Sequence, residues 1–371
     1  MKIIRDAIHE DIELNDLEIA LVDTPEMQRL RLIKQLSLAY LVYPSAHHTR
    51  FEHSLGTFHL TKMLSDRLIK EEGERQKLRI SALLHDVGHF AFSHLPEGLI
   101  MRETGKDHEQ IGAQKILSGE IAAVLERHGI SPKDVLKAYK GAGGKIISSD
   151  LGTDRMDYLL RDAYFTGVGY SIIDAQRLLL SLSFKAGRLV LQEKGLLAAE
   201  SLLVSRYLMF NAVYNHHAVR IATSMLEKAL DLSLQDGRLS IQELINGTDE
   251  AVLLGLKDEP LISMIQRRKL YKVAYESQSF SFKGTEESAK KRIEDALSEE
   301  LPFSDFIVSM PKQHMGTIGL EVLRADGSII PLPSESILAG AVSRERKASG
   351  LIIATSPKDA GKAAGICRSF H

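Results

Sequence analysis

The chain has 371 residues, and 47 basic against 49 acidic side chains leave a formal charge of −2. At 44% hydrophobic and 26% charged it has the composition of a globular protein, and the near-neutral balance removes the electrostatic footprint of a dedicated nucleic-acid binder. A single cysteine, Cys367, excludes an intrachain disulfide and a cysteine-based zinc cage.

The length exceeds the roughly 250–300 residues at which one core stops growing, so a large and a smaller domain are expected. Met1–Asp6 is charged too early for a signal peptide. The longest run without Asp, Glu, Lys or Arg, Gln35–Thr49, falls short of the about 20 apolar residues of a membrane span. A cytoplasmic protein without a membrane segment is expected.

Along the chain, apolar spacing predicts helices over Ser54–Glu72 (Leu60, Met63, Leu64, Leu68) and Arg75–Val87, the latter ended by Gly88. Further helices are expected over His108–Arg127, Asp154–Phe165, Asp174–Leu182, Ala198–Val219 and Ile221–Leu232. A short hairpin interrupts them, with Phe184 and Leu189-Val190-Leu191 flanking the Ala186-Gly187 turn. After Glu276 the texture changes. A charged stretch, Lys283–Glu300, precedes strand-like pieces at Asp305–Met310, Ile318–Leu323, Ile329-Ile330 and Leu351–Ala354, with a turn at Asp326-Gly327 and a closing helix over Asp359–Cys367.

Eight of the 14 histidines crowd between His47 and His108, a polar, metal-competent concentration that demands an explanation. His53, the adjacent pair His85-Asp86, and Asp154 make a mixed nitrogen and oxygen donor set suited to Mn, Fe, Co, Ni or Zn, with Mg less favoured. Neighbours on a helix point about 100° apart, so His85 and Asp86 can share one ion only near a helix end, and Gly88 supplies that end. Asp154, Tyr158, Arg161 and Asp162 share one helix face, as a site lining or as a solvated face. His89, His94 and His108 follow, with Glu97 among them, and each histidine can ligate a metal, bind phosphate when protonated or act as a general acid. Arg50, three residues before His53, offers a bidentate phosphate donor, whereas no glycine-rich phosphate loop has the required spacing. The H-x3-H spacing of His85 and His89 also fits zinc peptidases. There Asp86 would be a base instead of a ligand, but it is a methylene short, and Gly88 weakens the helix needed for i, i+4 ligation.

In order and joint pattern, these residues resemble the HD-domain metal-dependent phosphohydrolases, closest to their deoxynucleoside triphosphate triphosphohydrolase branch. The resemblance runs over about residues 15–230. It rests on Asp23-Thr24-Pro25, the segment Gln28–Leu36, Arg50–Gly56, His85–His89, Phe92-Ser93-His94, His108-Glu109-Gln110 and Asp154–Asp162. It implies a mainly α fold, an HD-domain helical core with the short β-hairpin over residues 1–275, while the change of texture after Glu276 is read as a smaller C-terminal α+β domain over 276–371.

The resemblance further implies one divalent metal on His53, His85, Asp86 and Asp154, with His94, His108, Glu97 and Arg50 as catalytic groups. It places His89, Arg50, Arg155 and Arg206 near phosphates, and Gln35, Leu36, Tyr158, Asp162 and Tyr214 at the sugar, where Tyr214 would crowd a 2′-hydroxyl. Glu97 stands where animal members carry Asp. The implied reaction converts a dNTP to deoxynucleoside and inorganic triphosphate; other nucleotides, or binding without turnover, are the alternatives. Asp23, Gln28, Arg29 and Arg31 match positions of a GTP or dGTP effector site between subunits of a dimer or tetramer.

Overall fold

The computed structural model describes residues 1–171, 173–277, 285–310, 318–344 and 350–367. The start of the expected charged stretch, Lys283, lies outside them; a helix runs over Glu286–Ser298.

The chain opens on a hairpin that the apolar spacing does not announce. Strand β1 (Lys2–Asp6) pairs antiparallel with β2 (Glu10–Leu14), Lys2 opposite Leu14 and Asp6 opposite Glu10. Of the two strands' apolar residues only Ile12 and Leu14 are fully buried, with Ile4 partly so, too few to leave a period-2 signal. Helices α1 (Asp16–Val22), α2 (Pro25–Arg29), α3 (Arg50–Leu68), α4 (Glu72–Leu84), α5 (Glu97–Thr104), α6 (His108–Ile116), α7 (Gly119–Arg127), α8 (Pro132–Lys140), α9 (Lys145–Ser148) and α10 (Thr153–Thr166) follow.

Helix α3 starts four residues earlier than its apolar spacing suggests. The Glu52 carboxylate accepts from the Thr49 N–H at 2.5 Å and from its hydroxyl at 2.9 Å, which closes the first turn at Arg50. This helix is buried on two sides. Leu60 and Leu64 pack with Leu78, Ala82, Met156 and Leu159, while Phe51, Leu55 and Phe58 pack with Ile80, Leu83, Leu84, Ile12 and Leu14. The expected His108–Arg127 helix is two helices, broken at Leu117-Ser118 with Gly119 at φ 71°.

Next come α11 (Ala175–Ser181), the expected hairpin as β3 (Leu182–Lys185) and β4 (Arg188–Gln192), and α12 (Leu196–Met209). Instead of running on to Val219, α12 loosens into a π-turn over Phe210–Tyr214 before α13 (His217–Gln235) and α14 (Ile241–Asn246). The stretch Glu193–Tyr214 is long and apolar enough to cross a membrane by length and composition alone, but in the fold Ala199, Leu202, Leu203 and Met209 belong to the protein core.

The remaining strands are β5 (Lys272–Ser277), β6 (Phe306–Ser309), β7 (Glu321–Leu323), β8 (Ile329–Pro331) and β9 (Leu351–Thr355), in sheets ordered β3-β4-β7-β8 and β5-β9-β6. The fold is mainly α with these small sheets. Strand pairing nevertheless crosses the expected division at residue 275. Strand β5 spans it, and β7 lies parallel to β4 with Glu321 opposite Val190. The exposed edge of the β3–β4 hairpin is thereby covered by the C-terminal segment.

Candidate metal centre

Helices α3, α4 and α10 bring His53, His85, Asp86 and Asp154 to one point. His85 is the C-cap of α4 and Asp86 follows it, so the pair leaves the helix as its spacing requires. Nε2 of His53 lies 3.3 Å from Nε2 of His85. The tautomers are forced, because each Nδ1 faces a group that can only accept. His53 Nδ1–H donates to Asp157 Oδ2 at 2.8 Å, and His85 Nδ1–H donates to the Ala82 carbonyl at 2.7 Å. With both rings neutral, as metal ligation requires, two imidazole lone pairs face each other. Asp86 Oδ1 is 3.3 Å from His85 Nε2, and Asp154 Oδ1 is 3.1 Å from His53 Nε2 and 3.9 Å from His85 Nε2.

Ligand atoms of His53, His85 and Asp86 fall within 4.8 Å of one another, and Asp154 flanks them. Opposed lone pairs ringed by carboxylates repel unless a cation stands between them, so the donor set fits a divalent metal ion. Electrostatics agree. Burial disfavours a charged His53, but its bonds to Asp154 and Asp157 prevail and raise it to about 10, so without a metal ion a proton on Nε2 takes the place that a cation would fill.

Asp157 was not singled out by the sequence reading, although it lies at i+3 from Asp154. Fully buried, it accepts from His53, from His9 Nε2–H at 2.7 Å and from Arg161 Nε and Nη2 at 3.0 and 2.9 Å. Arg161, which shares a helix face with Asp154 that the spacing left as a site lining or a solvated face, instead turns entirely inward to hold Asp157.

Arg50 donates to Asp86 Oδ2 and to Ser93 Oγ, each at 2.9 Å. Ser93 in turn donates to the Lys34 carbonyl at 2.7 Å. Phe92 and Ser93 both adopt left-handed backbone (φ 63° and 60°), a strain of about 1–3 kcal/mol each. The buried Asp249 carboxylate, unmarked in the sequence, opposes it by accepting from the Phe92 N–H at 2.6 Å and the Lys34 N–H at 3.0 Å.

His89, His94 and His108 form a second group beside the first. Their rings touch at centroid separations of 4.3 to 4.8 Å, with His89 stacked on His108. Gly88 permits this approach, since a Cβ there would fall 2.0 Å from the His108 carbonyl oxygen. Glu97, at the start of α5, accepts from Nδ1–H of both His94 (3.0 Å) and His108, so both present Nε2 away from it. Burial opposes protonation of His108, but the Glu97 carboxylate outweighs it and holds the group above the ordinary histidine value. His89 moves the other way: burial and the Arg50 charge push it well below that value, and its Nδ1 is buried without a partner.

The expected sugar residues form a connected wall. Asp162 accepts from Tyr214 O–H at 2.6 Å and from His48 Nε2–H at 2.8 Å, and the His48 carbonyl accepts from the Gln35 N–H at 3.0 Å. The π-turn carries Tyr214 to Asp162. Leu36 packs behind the wall, and the Tyr158 ring stands 6.4 Å from His53. Burial raises the Tyr158 phenol to about 12 and, with Asp162, holds Tyr214 well above the ordinary phenol value, so both stay protonated.

Arg155 and Arg206, expected at phosphates, share Asp150 at 2.5 and 3.8 Å, and Asp150 also accepts from the Gly319 N–H at 2.8 Å. Of the expected effector residues, Asp23 and Arg31 are exposed and Gln28 half-buried, with Arg31 over the Phe51 ring at 3.6 Å and bonded to Gln28 at 2.9 Å. Arg29 departs from that expectation. Its guanidinium turns inward onto the carbonyls of His89, Ile245, Asn246 and Gly247 at 2.8–2.9 Å, satisfying the last turn of α14.

Residues 50–162 match the HD domain, and residues 173–359 match the HD associated region. An uncharacterized protein of Methanocaldococcus jannaschii is 38% identical over 343 residues, covering 88% of this chain and 73% of that one. The crystal structure of a hypothetical protein from Aquifex aeolicus superposes with a TM-score of 0.81 at 29% identity, over 99% of both chains. The human deoxynucleoside triphosphate triphosphohydrolase SAMHD1 is 35% identical over 211 residues, 45% of this chain and 34% of that protein. The chain belongs to the HD-domain phosphohydrolase family, whose members are metal-dependent.

Proposed function

We propose that this protein hydrolyses deoxynucleoside triphosphates to deoxynucleoside and inorganic triphosphate. The observation that carries the reading is the opposed Nε2 pair of His53 and His85 between Asp86 and Asp154, with Arg50 and three histidines beside it. The partial similarity to the human deoxynucleoside triphosphate triphosphohydrolase supports the substrate class. A divalent transition metal (Mn, Fe, Co, Ni or Zn, with Mg as an option) on His53, His85, Asp86 and Asp154 supplies Lewis acidity for an α-phosphate oxygen and for water.

The chain's own groups do the rest. Arg50, Arg155 and Arg206 bind the phosphates, and His89, whose Nε2–H is held by Asp86 at 3.2 Å, adds a donor to them through Nδ1–H only when protonated. His94, fixed by Glu97, orients the reacting group, and protonated His108 gives its Nε2 proton to the departing 5′-oxygen. The bond from water oxygen to the α-phosphorus forms as the bond from that phosphorus to the 5′-oxygen breaks, and the proton shed by the water passes to the neutral Nε2 of His94, whose Nδ1–H stays on Glu97. Gln35, Leu36, Tyr158, Asp162 and Tyr214 hold the sugar. Asp23, Gln28 and Arg31 take a GTP or dGTP effector in a cytoplasmic homo-oligomer, with Arg29 bracing the segment from behind.

A second reading, a hydrolase of another nucleotide, is favoured by Asp150, which partly neutralises the two arginines meant for the phosphate tail. One panel separates the two. The protein is incubated with Mn²⁺ and each dNTP and NTP, with and without GTP, and products are resolved by ion-pair chromatography. Deoxynucleoside plus triphosphate, lost together with bound metal in Asp86→Ala, supports the proposal. Turnover of ribonucleotides as fast as dNTPs, or stoichiometric metal in Asp86→Ala, overturns it.

A further inference from the structure

The turn of the N-terminal hairpin reaches the metal ligands. Asp6 ends β1, and its Oδ1 accepts from the backbone N–H groups of Ile8 and His9, each at 2.9 Å, which builds the turn. The same carboxylate accepts from Arg161 Nη1 at 2.9 Å and Nη2 at 3.2 Å. Arg161 holds Asp157 through two further bonds, and Asp157 fixes Nδ1 of His53. His9, three residues on, donates Nε2–H to the other Asp157 oxygen at 2.7 Å and stacks on His59 with centroids 5.3 Å apart. All these side chains are buried or nearly so: 7% exposure for His9, 5% for Asp6 and 0% for Arg161 and Asp157.

One turn thus supplies both outer partners of the unit that orients a ligand histidine. Asp157 receives four hydrogen bonds, from His53, His9 and twice from Arg161, and it has no accepting direction left in which to swing. The Arg161 charge, fully removed from water, is matched by two carboxylates, of which only one belongs to its own helix. Without Asp6 and His9, Asp157 would keep only its bonds to Arg161 and His53, and Arg161 would lose its second carboxylate, so the Asp157 carboxylate and the His53 ring would be set less firmly.

We infer that the N-terminal hairpin is a structural part of the metal centre, with His9 and Asp6 as positioning residues that act through Asp157 on His53. Outer partners of ligand histidines typically govern metal affinity by roughly 10–100-fold. The inference rests on the metal-site reading above.

The test reads metal, not turnover. Apoprotein is titrated with Co²⁺ against a competing chelator, and the visible d–d spectrum reports the coordination geometry. Wild type should bind one equivalent; if it binds none, the metal-site reading itself fails. His9→Ala should bind roughly 10–100-fold more weakly with an altered spectrum. His9→Gln, whose amide places a donor where Nε2 stands, should restore both. Arg5→Ala removes only the exposed hairpin pair with Asp11 and serves as the control for general loosening. A wild-type affinity and spectrum in His9→Ala, no recovery in His9→Gln, or an equal loss in Arg5→Ala would each overturn the assignment. Far-ultraviolet circular dichroism of the apoproteins confirms that the compared chains are folded.

Discussion

A Cβ built on Gly56 would lie 1.8 Å from Oδ1 of Asp157, closer than any real contact allows. Glycine at this point of α3, three residues after His53, is what lets the Asp157–Arg161 unit of α10 press against the helix that carries the first ligand. Arg161 Nη2 would also be only 2.6 Å away. Gly56→Ala should therefore force the helices apart, lowering folding stability by about 1–3 kcal/mol and weakening metal binding in the same variant. Urea denaturation of the apoprotein checks the first effect; an unchanged midpoint would mean that the two helices are not in close register.

The pH dependence follows from Glu97 and His108. The carboxylate keeps His108 protonated above the ordinary histidine value, so kcat/KM should hold there and fall as pH rises through the elevated value. Glu97→Gln removes the largest raising influence and leaves burial, which disfavours the charged ring. The alkaline limb should then move to lower pH. A pH–rate profile with an unmoved limb would remove His108 as the proton donor.

Asp150 pairs with Arg155 and Arg206, the two arginines proposed to bind the phosphate tail. Its pairs are only partly shielded from solvent, so releasing them is worth roughly 0.5–1 kcal/mol. Asp150→Asn should lower KM for a dNTP by about two- to fivefold with little change in kcat. A raised KM would show that the carboxylate aids substrate binding.

Tyr214, bonded to Asp162, is proposed to limit the sugar by the bulk of its ring. Tyr214→Ala should narrow the preference for deoxy- over ribonucleotides by roughly tenfold. Tyr214→Phe keeps the bulk and should keep most of the preference. Competitive turnover of dGTP and GTP reads the ratio, and equal ratios in wild type and Tyr214→Ala would reject the gating role.

What could be read from sequence depended on whether a feature was local. Helix α10 and the end of α4 announced themselves through spacing and Gly88, and with them the junction that lets His85 and Asp86 face one point. The hairpin β1–β2 did not, because its two fully buried apolar residues make no pattern and its chemistry lies at the turn. Asp157 was hidden for a different reason: on a polar helix face, an orienting carboxylate and a solvated one look alike until His53 and His9 are seen against it. Asp249 serves a loop more than 150 residues away, a relationship that no window on the sequence contains. Arg29 followed the effector-site pattern of the resemblance, yet the carbonyls at the end of α14 claimed its guanidinium.

The most direct test is hydrolysis of dGTP by the Mn²⁺-loaded protein in H₂¹⁸O, with products read by ³¹P nuclear magnetic resonance and mass spectrometry. The account predicts unlabelled deoxyguanosine and inorganic triphosphate carrying one ¹⁸O. Deoxyguanosine monophosphate with pyrophosphate, or label in the nucleoside, would contradict attack at the α-phosphorus with departure of the 5′-oxygen.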